Sequence, residues 1–253
     1  MNTKKLYQDI NSKTVDNWVK EGWEWGTAVD HETFMRAKDG DWNIVLSPRI
    51  SVPHDWFGDL KGKKLLGLAS GGGQQIPIMS AAGAICTVMD YSEEQLKLEK
   101  LVAERESYDV DIVKADMTKR FPFEDESFDI IINPVSNCYI DNLDNFWKEC
   151  SRVLKKGGIL MVGFDNGVNY IVDLEEKSII RGLPFNPLKD EELYKYSIDN
   201  DWGIQFSHTI EEQLQGQLDA GFTLTNIFQD INSEGNLAEL NVPTFYVTRC
   251  IKR

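Results

Sequence analysis

The sequence KLLGLASGGGQQ at residues 64–75 decides the fold, because an apolar segment runs directly into three consecutive glycines. A second apolar segment, AICTVMD at residues 84–90, follows and ends at Asp90. A glycine turn allows close backbone approach to a ligand, and the helix after it presents free N–H groups. A carboxylate at the end of the next strand can accept hydrogen bonds from ribose hydroxyls. This layout predicts a nucleotide-binding site.

Strand and helix patterns alternate outward from this stretch. The predicted strands cover residues 63–69, 84–90, 110–116, 128–135, 158–164, 224–230 and 243–252. The predicted helices cover residues 74–83, 92–106, 143–154 and 209–222, with Gly157–Gly158 ending the third. The last two strands have no predicted helix between them. The pattern predicts an α/β fold with a Rossmann-like, doubly wound, mostly parallel seven-stranded sheet, an antiparallel C-terminal hairpin and helices on both faces.

The segments outside this alternation predict how a single domain over residues 1–253 is organised. Residues 1–58 form an N-terminal cap or lid, 59–164 a cofactor-binding core, 165–207 an insertion or lid, and 208–253 the last helix and hairpin. Five of the seven tryptophans lie in the first segment: Trp18, Trp23, Trp25, Trp42 and Trp56. They fit either packing of a helical layer onto the sheet or a lid over the ligand site.

Charge and cysteine usage narrow the classes of function. The chain has 27 basic and 41 acidic side chains, which gives a net charge of −14. A protein with this charge repels nucleic-acid backbones. The four cysteines are far apart in sequence, so we expect reduced thiols, no metal site and a cytoplasmic protein. No apolar segment is long enough for a membrane span, and the first residues lack an apolar signal region.

The glycine turn departs from the dinucleotide fingerprint. Gly71 and Gly73 fit the first two positions of G-x-G-x-x-G, but Ile76 stands at the third. This weakens an NAD or FAD interpretation without excluding it. The phosphate-loop signature of nucleoside-triphosphate sites is missing.

Later blocks, taken in order with the glycine turn and Asp90, carry a family resemblance. KADMTKRFPFEDESFDIIINPVSNCYI at residues 114–140 and WKECSRVLKKGGILMV at residues 147–162 are similar to the class I S-adenosylmethionine-dependent methyltransferases. The chain looks most like the small-molecule enzymes of ubiquinone and menaquinone biosynthesis, over roughly residues 60–165. The resemblance implies S-adenosylmethionine as the cofactor, S-adenosylhomocysteine as the product, and in-line methyl transfer to a small-molecule acceptor.

The resemblance also implies the cofactor contacts. These are Ala69, Ser70, Gly71, Gly73, Gln74, Gln75, Asp90, Tyr91, Asp116, Met117, Asn133, Pro134 and Val135. Asp90 would accept hydrogen bonds from both ribose hydroxyls, with capping of the helix after Ser92 as its alternative role. Asp116 would meet the adenine amino group, and residues 133–135 would lie beneath the sulfonium.

One position departs from the family pattern. Gly67 stands in the first strand where the family usually has an acidic residue that contacts the amino group of the cofactor. Gln74, Gln75 or an N-terminal residue could meet that ammonium instead.

Catalytic side chains are less clear than cofactor contacts. A general base is needed only for a poorly acidic hydroxyl or a protonated amine. The candidates are His31, in the tryptophan-rich segment, and Asn137 and Tyr139, just after the fourth strand; His54 and His208 fit surface or capping roles better. Two alternatives stay open: a non-catalytic S-adenosylmethionine-binding module and a Rossmann NAD(P) oxidoreductase.

Overall fold

The computed structural model describes residues 6–253, which fold around a seven-stranded sheet. Its strands are β1 (Lys64–Leu68), β2 (Ile85–Asp90), β3 (Val110–Lys114), β4 (Phe128–Asn133), β5 (Leu154–Asp165), β6 (Phe222–Asp230) and β7 (Phe245–Lys252). They lie in the order β3-β2-β1-β4-β5-β7-β6. The first five are parallel, and β7 is antiparallel to both β5 and β6. The predicted fold class is confirmed.

Helices flank the sheet. The α-helices are α1 (Tyr7–Lys20), α2 (His31–Lys38), α3 (Gln75–Ala81), α4 (Glu93–Glu106), α5 (Asp144–Val153), α6 (Glu191–Asp199), α7 (Gly216–Asp219) and α8 (Asn236–Glu239). A π-helical turn, Glu211–Gln215, leads into α7. Short 3-10 turns cover Glu24–Gly26, His54–Trp56, Asn137–Tyr139, Val168–Tyr170 and Pro187–Lys189. None of the helices in residues 6–253 has both the length and the apolar character that a membrane span requires.

Strand β1 is apolar after Lys64 because its two faces pack against two separate cores. Side chains alternate across a strand, so Leu65 packs with Ile76 of α3 and Leu96 of α4 on one face. Leu66 packs on the opposite face, in the core that contains α5. Leu65 and Leu66 are both fully buried. Covering both faces in this way is typical of a parallel sheet.

The boundary between α5 and β5 differs from the prediction. Leu154 already has extended backbone (φ −83°, ψ 138°) and pairs with Phe128 of β4. The helix therefore ends at Val153. The pair Gly157–Gly158 lies inside the long strand β5 and does not end the helix.

The hairpin at the sheet edge is also more elaborate than expected, since α8 lies between β6 and β7. The Leu237 N–H of α8 donates to Glu176 Oε2 at 2.7 Å. This bond ties the hairpin connection to the segment predicted as an insertion.

The N-terminal segment and the insertion meet above the carboxyl edge of the sheet. The side-chain amide of Asn11 in α1 donates to the Ile204 carbonyl at 2.9 Å and accepts from the Ile204 N–H at 2.6 Å. Trp18 donates its ring N–H to the Asp201 carbonyl. The Phe206 N–H donates to the Cys138 carbonyl at 2.7 Å, just beyond β4. The two segments therefore cover the edge together.

Candidate functional site

A cavity of about 370 Å³ opens along the carboxyl edge of the sheet. Its walls include the residues that end or follow β1 to β5, namely Ala69, Asp90, Ala115, Pro134 and Asp165. In open α/β sheets this edge is where ligands bind. The predicted contacts that line the cavity are Ala69, Gly71, Gln74, Gln75, Asp90, Tyr91, Asp116, Met117, Pro134 and Val135.

The glycine turn is shaped by its contact with Asp90. The Gly71 N–H donates to Asp90 Oδ2 at 3.1 Å. A Cβ at Gly71 would lie 2.7 Å from the Gln95 side chain and 3.0 Å from that carboxylate oxygen. Only a residue without a side chain leaves this corner of the cavity open.

Asp90 combines a structural bond with a position on the cavity wall. Its Oδ1 accepts from the Ser92 N–H at 2.9 Å. The N-cap of α4 is Ser92, whose hydroxyl accepts from the Gln95 N–H, so Asp90 is not the capping residue. Burial raises the pKa of Asp90 above its ordinary value, against three backbone hydrogen bonds, from Ser92, Gly71 and Tyr91, that lower it.

Asp116 and Tyr91 also lie on the wall. Asp116 Oδ1 accepts from the Thr118 N–H at 2.8 Å, which fixes the turn after β3. The Tyr91 hydroxyl donates to Asp9 Oδ1 at 2.9 Å, so this ring is held against α1.

Three predicted cofactor contacts do not reach the cavity. The Ser70 hydroxyl lies 3.4 Å from the Leu68 carbonyl, to which it donates. A Cβ at Gly73 would meet Val102 of α4, because this glycine lets the helix approach the turn. Asn133 is fully buried and donates to the Leu68 carbonyl at 2.9 Å. The structure places all three behind the wall, where they hold its shape.

Gly67, the departure from the family pattern, is explained by Ile76. A Cβ at Gly67 would lie 2.5 Å from Ile76 Cδ1 and 2.9 Å from Ser70 Cβ. Ile76 is itself fully buried. The isoleucine of α3 thus fills the space beside β1 that a side chain at residue 67 would need.

Gln74 and Gln75 both line the cavity. The Gln74 amide donates to the Glu24 and Thr27 carbonyls at 2.9 and 3.0 Å. The Gln75 amide donates to the Val45 carbonyl at 3.3 Å. Each glutamine uses its NH₂ group on the cap, which leaves its side-chain carbonyl oxygen as an acceptor.

None of the three histidines lines the cavity. His31 is exposed at the start of α2, with Nδ1 2.8 Å from Glu106 Oε2. His54 stacks on Trp42 at a ring distance of 3.8 Å. His208 is buried, and its Nε2 donates to the Ile140 carbonyl at 2.8 Å. The structure does not bring the candidate base His31 to the site, because α2 carries it to the surface beside the end of α4.

The other two catalytic candidates, Asn137 and Tyr139, lie in the turn that follows β4, and only Tyr139 reaches the cavity. Asn137 is fully buried away from the cavity and donates to Gln213 Oε1 at 2.9 Å. Tyr139 lines the cavity. Burial raises the pKa of Tyr139 well above its ordinary value, with smaller contributions from Cys138 and Asp165.

The far end of the cavity contains residues that the sequence analysis did not single out. They are Cys138, Asp165, Asn169, Tyr170, Gln205 and Phe245. Asp165 was the one that could have been found, because it is the last residue of β5 and therefore lies at the ligand edge of the sheet. The others depend on how the insertion folds back over that edge.

Comparison with known proteins shows the family of the chain. Residues 66–162 match the family described as a methyltransferase domain. The chain is 41% identical over 249 residues to an uncharacterized methyltransferase, YbaJ, of Bacillus subtilis (strain 168), covering 96% of this chain and 97% of the relative. The chain belongs to the methyltransferase family.

The chain also resembles a more distant relative in sequence and a solved structure in fold. The methyltransferase is 30% identical over 161 residues to a ubiquinone biosynthesis O-methyltransferase of Pelagibacter ubique (strain HTCC1062), covering 60% of this chain and 64% of the relative. Its fold matches that of geranyl diphosphate C-methyltransferase from Streptomyces coelicolor A3(2), solved in complex with Mg²⁺, geranyl diphosphate and S-adenosyl-L-homocysteine. The TM-score is 0.63, the sequence identity is 14%, and the match covers 99% of both chains. The predicted methyltransferase family is confirmed.

Proposed function

We propose that the chain transfers a methyl group from S-adenosylmethionine to a small-molecule acceptor by in-line displacement. The sulfonium supplies the chemical activation, so the protein has to align the acceptor and exclude water. One observation carries the proposal: a single cavity runs from Asp90 and Asp116 to Asp165 and Tyr170. An acceptor at one end would share this cavity with a cofactor at the other.

The wall residues fit the parts of the cofactor. The Asp90 carboxylate would accept hydrogen bonds from the ribose hydroxyls, which are donors. Asp116 and Met117 would meet the adenine. The side-chain carbonyl oxygens of Gln74 and Gln75 would accept from the ammonium group, in place of the acid missing at Gly67.

The size of the cavity supports a small acceptor. Sites for small molecules and cofactors occupy roughly 300–1,000 Å³, and the volume here is about 370 Å³. The cap and the insertion, joined through Asn11 and Ile204, cover the carboxyl edge of the sheet. A macromolecular substrate would have to displace them.

The missing acid at Gly67 would support the alternative of a non-catalytic binding module if it meant that cofactor contacts had been lost. Since Ile76 fills the space beside Gly67, the missing acid reflects packing and does not favour a loss of turnover.

The four cysteines are free and buried, which supports the expectation of a reducing, cytoplasmic environment.

Methyl transfer tests the proposal directly. The purified protein is incubated with S-adenosylmethionine labelled in the methyl group and with fractions of small metabolites. We expect label in a low-mass product, lost in Asp90→Ala and retained in Asp109→Ala, an exposed control. Binding of S-adenosylhomocysteine without transfer to any fraction would favour the non-catalytic module, and no binding would overturn the proposal.

A further inference from the structure

Asp165 stands out among the cavity residues that cofactor binding does not use. It is the last residue of β5, two strands along the sheet from the glycine turn of β1. The residue is 6% exposed and lines the cavity. Its Oδ1 accepts from the Gly167 N–H at 2.8 Å, a bond that fixes the direction of the carboxylate.

The groups around Asp165 keep their protons. Burial, with the Asp165 charge as a further cause, raises the pKa of Cys138, Tyr139 and Tyr170 above the ordinary values. The Tyr170 hydroxyl donates to Gln205 Oε1 at 3.0 Å. The carboxylate therefore faces neutral hydroxyl and thiol groups from the turn after β4 and from the insertion, and Phe245 of β7 lies beside it in the sheet.

Aromatic rings make up much of the same lining. They are Trp23, Trp25, Tyr91, Tyr139, Tyr170 and Phe245. Aromatic faces attract cations, most strongly where the site is shielded from water. Tyr139, Tyr170 and Phe245 are the rings near Asp165, and a buried carboxylate beside such rings is suited to an ammonium group.

The charges on the wall point the same way. Within residues 6–253, the charged side chains that line the cavity are Asp90, Asp116 and Asp165, and all are acidic. Under the proposed function, the first two face the ribose and adenine, which leaves Asp165 for the acceptor. A diphosphate such as the one bound in the Streptomyces coelicolor structure would place like charges beside this carboxylate.

We propose, on the basis of the methyltransferase function above, that the acceptor is a small primary or secondary amine whose ammonium group binds Asp165. The carboxylate takes one proton, so an N–H bond breaks and an O–H bond forms. The freed nitrogen lone pair makes the C–N bond while the bond from methyl carbon to sulfur breaks and sulfur keeps its electron pair. The methylated ammonium leaves, and Asp165 returns its proton to water.

The protonation behaviour of Asp165 is consistent with this role. Burial raises the pKa of Asp165 from 3.8 to about 6. The group is ionised at neutral pH and can hold a proton transiently. Amine binding and turnover should therefore rise with pH through about 6.

The test compares matched acceptors on the full chain. Propyl, phenylethyl and indolylethyl compounds each carry an amino, a hydroxyl or a carboxylate group, and geranyl diphosphate is added. Methyl transfer is measured with wild type, Asp165→Asn and the exposed control Asp111→Asn, and affinity for S-adenosylhomocysteine is measured separately. Asparagine keeps the Oδ1 acceptor for Gly167, so this variant should retain the turn.

We expect transfer to amines to exceed transfer to the matched alcohols at least tenfold, with no transfer to anions. Asp165→Asn should lower kcat/KM for amines at least 30-fold, abolish the rise near pH 6 and change affinity for S-adenosylhomocysteine less than twofold. Preference for alcohols or anions, no transfer to any amine, or unchanged amine turnover in Asp165→Asn would overturn the proposal. Lack of S-adenosylhomocysteine binding would instead refute the underlying function.

Discussion

Glu99 is a fully buried carboxyl group in α4, outside the cavity. The Tyr108 hydroxyl donates to its Oε1 at 2.7 Å. Burial raises the pKa of Glu99 from 4.5 to about 7, more than this hydrogen bond lowers it. A carboxyl group that is neutral in the folded protein at pH 5 must therefore ionise inside the core at pH 8.

This burial predicts a pH dependence of stability. Between pH 4.5 and 7 the unfolded chain loses the Glu99 proton while the folded chain retains it, so the free energy of unfolding falls as pH rises. With about 1.4 kcal/mol for each pKa unit, the loss amounts to about 3 kcal/mol by pH 8. Glu99→Gln, which keeps an acceptor for Tyr108, should be more stable than wild type by about that amount at pH 8 and by much less at pH 5.

Urea unfolding of both proteins at the two pH values measures the effect. Glu104→Gln, an exposed change on the same helix, serves as the control and should show little difference. A gain for Glu99→Gln that is the same at pH 5 and pH 8 would contradict the account.

Individual side chains were predictable from sequence where a strand end places them. Asp90 ends β2 and Asp116 follows β3, and the structure brings both to one cavity. His31 was chosen because its segment could cover the pocket, yet the fold turns that side chain outward to Glu106. The sequence does not show which face of a cap helix meets the sheet.

At the scale of elements, the contact between β1 and α3 explains the unusual glycine of the first strand. Gly67 and Ile76 are close only because the helix returns across the strand after the glycine turn. The sequence therefore showed that Gly67 departs from the family pattern but not that Ile76 takes its space. The same limit applies to Asp165, whose position at a strand end was visible while the covering insertion was not.

A double-mutant cycle tests this contact. Gly67→Ala should cost about 1–3 kcal/mol because its Cβ meets Ile76 Cδ1. Ile76→Val removes that atom at a cost of about 0.5–1.5 kcal/mol. The double variant should be more stable than the sum of the two single costs by about 1 kcal/mol, as measured by chemical unfolding.

Ile78→Val, elsewhere on α3, is the matched control for the cycle. Combined with Gly67→Ala, it should give costs that add. Additive costs for the Gly67 and Ile76 pair as well would show that the two residues do not compete for space.

At the scale of the whole molecule, the chain places a parallel sheet below and two covering segments above one cavity. The end of the cavity proposed for the cofactor is lined by residues of the core, and the end proposed for the acceptor by the turn after β4, the insertion and β7. The alternation of strands and helices was enough to predict the sheet, because burial on both faces leaves a clear apolar pattern. The acceptor end was not predictable, since it depends on long-range contacts such as Asn11 with Ile204.

Calorimetric titration of the wild-type chain with S-adenosylhomocysteine, with NADH titrated in parallel, tests the central claim most directly. We expect one S-adenosylhomocysteine per chain with a dissociation constant of about 10 μM or tighter, and no heat from NADH. Binding of NADH without binding of S-adenosylhomocysteine would contradict the account.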